Sequence, residues 1–221
     1  MVVLMVILTI VLGISVDYVI QRRKQIGLAS SPALGVSPIS STLSLLPKGI
    51  FLQPSMTWTK ILDDGEIAVG IHPILMGVVG EPDAIELHEP GLQIAKGEGL
   101  INIRKGNHSL VLKSPVVGQI MAINSSVVEH PTWESLSKNW LFVLKPEQIA
   151  NEIPQWQFAE KAETWTKTKL QQLKNFFAEQ VPDNGLGLTL ADGGDIPVGV
   201  LAHFDEKVWK KFETEFCETG S

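Results

Sequence analysis

The chain has 221 residues, 44% of them hydrophobic, and a formal net charge of −6. This length accommodates one domain of about 100 to 150 residues together with additional segments. The acidic balance, without a basic stripe interleaved with aromatic residues, argues against a nucleic-acid partner. Cys217 is the single cysteine, so no intrachain disulfide can form, and the five histidines lack the spacing of zinc-binding motifs. Neither a metal site nor an enzyme motif is therefore predicted.

The N-terminal segment is the first predicted element. Residues 2–20 are almost continuously apolar, which approaches the roughly 20 residues that a helix needs to cross the hydrocarbon core of a bilayer. The basic residues 22–24 follow the apolar run, whereas a secretory signal peptide carries its charges before it. We therefore predict a single-pass membrane anchor over residues 1–25, with the body of the protein in the cytoplasm. A signal sequence cleaved near residues 28–30 is the alternative.

A tether and a β domain are predicted next. Residues 26–49 are rich in Ser, Pro and Gly and show neither helical nor strand periodicity, which is typical of a tether. Over residues 50–147 short apolar runs alternate with turn signals, a pattern that favours a small β-barrel or sandwich. Short helices are predicted near residues 72–79 and 131–137, with Pro131 in the first turn of the second one.

The C-terminal region, residues 148–221, has a helical pattern at its start. Apolar residues recur at three- to five-residue intervals and include Trp165, Leu173 and Phe177, which indicates an amphipathic helix. Its apolar face either packs on the β domain or docks another subunit. A hairpin is predicted from residues 186–190 and 196–200, followed by a final helix that Asp205 caps and that runs through residue 216.

An ordered series of motifs runs from residue 56 to residue 146. It comprises Met-Thr-Trp at 56–58, Gly-Glu-Pro-Asp-Ala-Ile-Glu-Leu at 80–87, Lys-Gly-Glu at 96–98, Ser-Pro-Val-Val-Gly at 114–118 and Trp-Leu-Phe-Val-Leu-Lys-Pro at 140–146. In this order and spacing the series resembles the glycine cleavage H-protein, a lipoyl carrier of the lipoyl/biotinyl-domain family. The resemblance implies a mainly β fold, a lipoyl-domain-like barrel-sandwich hybrid, to which this chain adds an N-terminal transmembrane helix and C-terminal helices.

The residue that carries the cofactor in that family is replaced here. The family attaches lipoate to a lysine at a hairpin tip, about ten residues after the Lys-Gly-Glu turn and seven before the Ser-Pro-Val turn, and in this chain both counts end at Asn107. Arg104 stands where the family motif Glu-Ser-x-Lys has its glutamate. Lys105 is the only nearby amine and is the alternative attachment site. His108, beside the tip, could hydrogen-bond or bind a metal, although a plain turn is the simpler interpretation.

Two functions remain open after the resemblance is taken into account. The first is a membrane-anchored, degenerate H-protein-like module that acts as a non-catalytic interaction or scaffold subunit, without cofactor. The second is a lipoyl carrier of a glycine cleavage-type system, with lipoate on a displaced lysine. In either case the partners would be proteins, subunits of a glycine cleavage-type system or of another membrane-associated complex. We predict the first function, because the chemistry of a carrier depends on one amine and a fold alone does not confer it.

Overall fold

The computed structural model describes residues 38–180 and 194–218. The strands within these residues are β1 (Phe51–Leu52), β2 (Thr57–Ile61), β3 (Ile67–Ile71), β4 (Ala84–Leu87), β5 (Gln93–Ile94), β6 (Gly99–Lys105), β7 (His108–Lys113), β8 (Gly118–Ile123) and β9 (Trp140–Pro146). The helices are α1 (Pro73–Val79), α2 (Ser125–Glu129), α3 (Trp133–Lys138), α4 (Ile149–Glu152), α5 (Glu160–Gln180) and α6 (Glu206–Phe212), with 3₁₀ helices at Ile39–Leu45, Ile153–Gln155 and Val200–His203 and a π-helical turn at Glu213–Cys217.

Two antiparallel sheets form the body of the protein. One has six strands in the order β1-β2-β3-β9-β8-β5, and the other has three in the order β4-β6-β7. Strand residues alternate between the core and the outside: in β6, Ile101 and Ile103 are buried, while Asn102 is half-buried and Arg104 is exposed. Most core side chains of the two sheets belong to one continuous hydrophobic cluster, while Leu52 and Trp58 form a smaller one with Ile50. The prediction of a mainly β body is confirmed.

The predicted membrane anchor lies outside the described residues. Within residues 38–180 and 194–218, no helix is both long enough and apolar enough to cross a bilayer. Residues 2–20, on which the prediction rests, are not among them. The anchor therefore stays a prediction.

Part of the predicted tether is packed against the body. Ile39–Leu45 forms a 3₁₀ helix in which Ile39 and Thr42 are buried. A Cβ atom placed on Gly77 of α1 would lie 3.3 Å from both of these side chains, so the missing side chain of Gly77 permits close packing. The structure differs from the sequence prediction here because two buried residues spaced by three are too few to reveal a 3₁₀ period.

Both short helices occur near their predicted positions. His72 caps α1, since its Nδ1 accepts a hydrogen bond from the backbone amide of Ile74 at 3.1 Å. The second helix, α3, is capped by Thr132, whose hydroxyl accepts from the amide of Ser135. Pro131 thus precedes the cap, and its predicted place in the first turn is wrong, because the hydroxyl of Thr132 supplies the acceptor that a helix N-terminus favours.

Helix α5 packs on its own chain, as one of the two sequence alternatives predicts. Leu173 and Phe177 have no exposed surface, and the ring of Phe176 contacts those of Phe212 and Phe216. Towards its N-terminus, Trp165 is only half-buried and packs with other residues against the cluster around Trp58. The apolar face of α5 is therefore covered by the β body at one end and by the C-terminal helix at the other.

The predicted C-terminal hairpin is not observed in the described residues. Residues 186–190 lie outside them, and residues 196–200 contribute one isolated bridge, between Pro197 and Pro38. Proline cannot donate to a strand ladder, and Gly199 has a φ of +78° before the 3₁₀ helix starts. The final helix is confirmed, because Asp205 Oδ1 accepts from the amide of Val208 at 3.0 Å.

Candidate functional site

The hairpin between β6 and β7 ends in a two-residue turn. Lys105 and His108 form the last cross-strand pair, so Gly106 and Asn107 make the turn itself. Gly106 has a φ of +58°, whereas Asn107 is not among the residues with positive φ. This pattern is that of a type II′ turn, which favours glycine at its first central position. The exposed residue at the tip is Asn107.

Lys105 does not project from the tip. It follows Ile101 and Ile103 on the core-facing side of β6, and its side chain is half-buried. Its Nζ donates a hydrogen bond to the backbone carbonyl of Glu81. The amine is therefore held along the sheet, on the side of β4.

His108 is bound by the C-terminal helix. Its Nδ1 lies 2.7 Å from Glu206 Oε2, and its ring stacks on the indole of Trp209 at a centroid distance of 5.0 Å and an angle of 14°. The hydrogen bond from His108 lowers the pKa of the Glu206 carboxyl. No group of three or more metal-binding side chains occurs in the part of the chain that the structure describes.

Sequence reasoning missed the two residues that bind His108. Glu206 lies 98 positions further along the chain, and no local spacing connects the two. The aromatic pattern of the final helix indicates a buried face, and Trp209 belongs to it. Nothing in that pattern indicates which strand the face covers.

Arg104 points to the opposite side of the hairpin from Lys105. Its guanidinium lies 3.1 Å from Glu86 Oε1, and Glu86 also accepts a hydrogen bond from the Asn102 side-chain amide at 2.8 Å. The outer face of β4 and β6 thus carries an exposed polar group in which positive and negative charges are paired.

Comparison with known proteins gives the family of this fold. The model of the glycine cleavage H-protein family matches residues 51–169, more than half of the chain. The chain belongs to that family. The probable glycine cleavage system H protein of Thermococcus gammatolerans is 29% identical over 115 residues, which cover 51% of this chain and 86% of that protein. The glycine cleavage system H protein of Azoarcus sp. is 30% identical over 108 residues, 47% of this chain and 84% of that one.

A plant relative and a solved structure have similar coverage. The mitochondrial glycine cleavage system H protein of Pisum sativum is 29% identical over 126 residues, 54% of this chain and 75% of that protein. The crystal structure of a glycine cleavage system H protein from Mycobacterium marinum has 22% identity and a TM-score of 0.42, and covers 46% of this chain and 87% of that one. The resemblance to the H-protein family is confirmed.

Two motifs of the H-protein domain have a structural role in this chain. Gly97 and Ser114 are joined by a backbone hydrogen bond of 2.9 Å, and the amide of Ser114 donates to the carbonyl of Glu98, so the two turns face each other at the open end of the hairpin. A Cβ atom on Gly118 would lie 2.4 Å from the carbonyl oxygen of Lys145 in the neighbouring strand. The two turns thus join the strands at the base of the hairpin, and Gly118 lets β8 and β9 approach closely.

Proposed function

We propose that this protein is a membrane-anchored, degenerate H-protein-like module that recruits or positions partner proteins and carries no lipoate. The main support is Asn107 at the exposed hairpin tip, where the family resemblance implies the lipoyl lysine. A carboxamide nitrogen is not nucleophilic, so it cannot form the amide bond to lipoate. In this proposal the protein is not an enzyme, and it binds neither a cofactor nor a metal.

The surroundings of Lys105 argue against the alternative carrier function. A ligase needs an amine that reaches solvent, and the Lys105 amine is engaged by the carbonyl of Glu81. To project freely from the surface, the side chain would have to give up this hydrogen bond, and a hydrogen bond of a charged donor contributes about 1.5–3 kcal/mol. Arg104, the neighbouring change from the family motif, is paired with Glu86.

The proposed partners are proteins. Relatives of this chain bear names that assign them to the glycine cleavage system, so subunits of a system of that type, or of another membrane-associated complex, are the candidates. On the outer face of β4 and β6, the exposed Glu86 and Arg104 and the half-buried Asn102 are preorganised by their mutual hydrogen bonds. Such a group contributes specificity more than affinity to an interface.

The absence of lipoate is the first testable prediction. Full-length protein co-expressed with a lipoate ligase should keep the mass of the unmodified chain, while a conventional H-protein in the same cells gains the mass of one lipoyl group. Intact-mass spectrometry of the purified proteins measures both. A lipoylated Lys105 peptide that disappears in a Lys105→Arg variant would contradict the proposal and support the carrier function.

The second prediction concerns the anchor. Full-length protein should sediment with membranes, and deletion of residues 1–25 should release a folded protein into the soluble fraction, because the described body begins its packing at Ile39. Fractionation and a thermal melt of the released protein measure the two properties. Deletion of residues 26–37 instead should leave the protein in the membrane. If the protein that lacks residues 1–25 stays on washed membranes, another part of the chain binds the membrane. The prediction that residues 1–25 are the membrane anchor is then wrong.

A further inference from the structure

The C-terminal part of the chain binds the hairpin although it is not part of the family match. The H-protein family model ends at residue 169. Residues 205–218, which we name the C-terminal cap, comprise Asp205, helix α6 and the π-helical turn with the residue after it. The cap lies against β7, the second strand of the hairpin, and β7 is an edge strand of its sheet.

Contacts between the cap and β7 extend over the whole strand. Next to the tip, Glu206 contacts His108 through a hydrogen bond, and the indole of Trp209 stacks on the His108 ring. At the far end, Lys113 forms an ion pair with Glu218. Edge strands expose unpaired backbone groups, which proteins commonly cover. Here the cap covers the β7 edge of the carrier-type hairpin.

The middle of the cap also meets the strand. Burial raises the pKa of the Glu213 carboxyl, and a hydrogen bond from the backbone amide of Val111 opposes that rise. Val111 lies between the two ends of β7, so the cap follows the strand along its length.

The cap is part of the core and not a loose tail. Trp209, Phe212 and Phe216 are at most 1% exposed, and the rings of Phe212 and Phe216 pack on that of Phe176 in α5. Each of these large aromatic side chains contributes stabilisation through burial. The polar contacts at the surface add little stability by themselves, so burial of the aromatic residues holds the cap in place and the polar contacts orient it.

The turn of the β6–β7 hairpin also has contacts on the side of β4, opposite the cap. The amide of Gly106 donates to Asp83 Oδ2 at 2.6 Å, and Lys105 is bound to the carbonyl of Glu81. Residues 81–83 precede β4 and the cap begins at Asp205, so the tip lies between these two segments. Gly106 and Asn107 face solvent at the turn, and so do Arg104 and Ser109 on the outer face of the two strands, while Lys105 and His108 are half-buried.

We propose that the C-terminal cap is an intramolecular lid that limits the access of a lysine-modifying enzyme to the hairpin. The cap lies along the edge strand β7, so an enzyme that approaches the hairpin from this edge meets the cap before it reaches the turn. The inference rests on the proposed function, since it explains how a carrier-type hairpin is kept for docking alone.

The test restores the missing amine in the full-length protein. An Asn107→Lys variant is treated with a lipoate ligase, which joins the lipoate carboxyl to the lysine Nζ as an amide and converts ATP into AMP and pyrophosphate. We expect this variant to stay unmodified by intact mass. A second variant carries Asn107→Lys and two additional residues in each strand beside the turn. At about 3.3 Å per residue, the longer hairpin places the lysine about 7 Å further out along the hairpin. This lengthened hairpin should be lipoylated.

A third variant loosens the lid itself. Asn107→Lys combined with Glu206→Ala and Trp209→Ala should be lipoylated, whereas Asn107→Lys combined with Lys207→Ala, an exposed neighbour on α6, should stay unmodified. A thermal melt shows whether the loosened variant is folded, and if it is not, the lengthened hairpin decides. Equal modification of the native-length and lengthened hairpins overturns the lid, and so does a lengthened hairpin that stays unmodified.

Two results tell the proposals apart. Lipoylation of Lys105 in the wild-type chain contradicts both, because the enzyme would then reach the hairpin with the cap in place. Lipoylation of the Asn107→Lys variant at native hairpin length contradicts the lid, while the wild-type chain can still be free of lipoate.

Discussion

Replacement of Leu173 by alanine is expected to lower the free energy of unfolding by about 2–5 kcal/mol, the cost of truncating a large core side chain. Leu173 has no exposed surface. It lies on the face of α5 that also carries Phe176 and Phe177, whose rings contact those of the cap and of Phe204. The loss should appear as a fall of several degrees in the thermal midpoint.

Gln172→Ala is the matched control for this prediction, because Gln172 is the preceding, exposed residue of the same helix. Its thermal midpoint should stay within the range of ordinary surface substitutions. An unchanged midpoint for Leu173→Ala, together with loss of co-purified subunits, would instead show that this face docks a partner.

The second large expected effect is a loss of folding stability at acidic pH that depends on His72. Burial lowers the pKa of His72 from 6.5 to about 3. Its Nδ1 is occupied as the cap of α1, and its Nε2 has no hydrogen-bond partner in the described residues. Since Nδ1 accepts a hydrogen bond, Nε2 carries the hydrogen of the neutral ring, and an added proton would go to Nδ1. Protonation would therefore break the cap and create a buried charge, with the ring of Trp165 at 5.7 Å.

The sign of the pH dependence follows from the two pKa values. Between pH 6.5 and about 3 the unfolded chain binds a proton at His72 that the folded chain does not. The stability that His72 contributes is complete above pH 6.5 and is lost as the pH falls through this window, with a limiting slope of about tenfold in the folding equilibrium constant per pH unit. Urea unfolding measured from pH 7 to pH 5 should show this slope above the range where most carboxylates titrate.

His72→Asn isolates the effect. An asparagine Oδ1 can still cap α1 but does not titrate, so the curve of this variant should be flatter between pH 7 and pH 5 whatever its absolute stability. His203→Asn replaces an exposed histidine and should keep the wild-type slope. Equal slopes for wild type and His72→Asn would show that another group causes the acid sensitivity.

Much of the fold and the place of the hairpin tip follow from local patterns. The Lys-Gly-Glu and Ser-Pro-Val-Val-Gly turns lie on either side of one hairpin, so counting inward from each reaches Asn107, and β6 and β7 pair in that register. The caps at His72 and Asp205 also involve only neighbouring residues. Hydrogen bonds of turns and caps join residues a few positions apart, and therefore residue type and spacing are enough to predict them.

The surroundings of the tip depend on contacts between distant parts of the chain. Lys105 has the spacing of an exposed strand residue beside the tip, yet its amine lies against Glu81, 24 positions earlier. His108 pairs with Glu206 because the aromatic residues of α6 pack on α5 and carry that carboxylate to the end of β7. Ile39, in the predicted tether, is buried for a similar reason, because Gly77 leaves space for it. Hydrophobic packing has no preferred sequence separation, so periodicity shows that a face is buried, and only the tertiary structure shows which surface covers it.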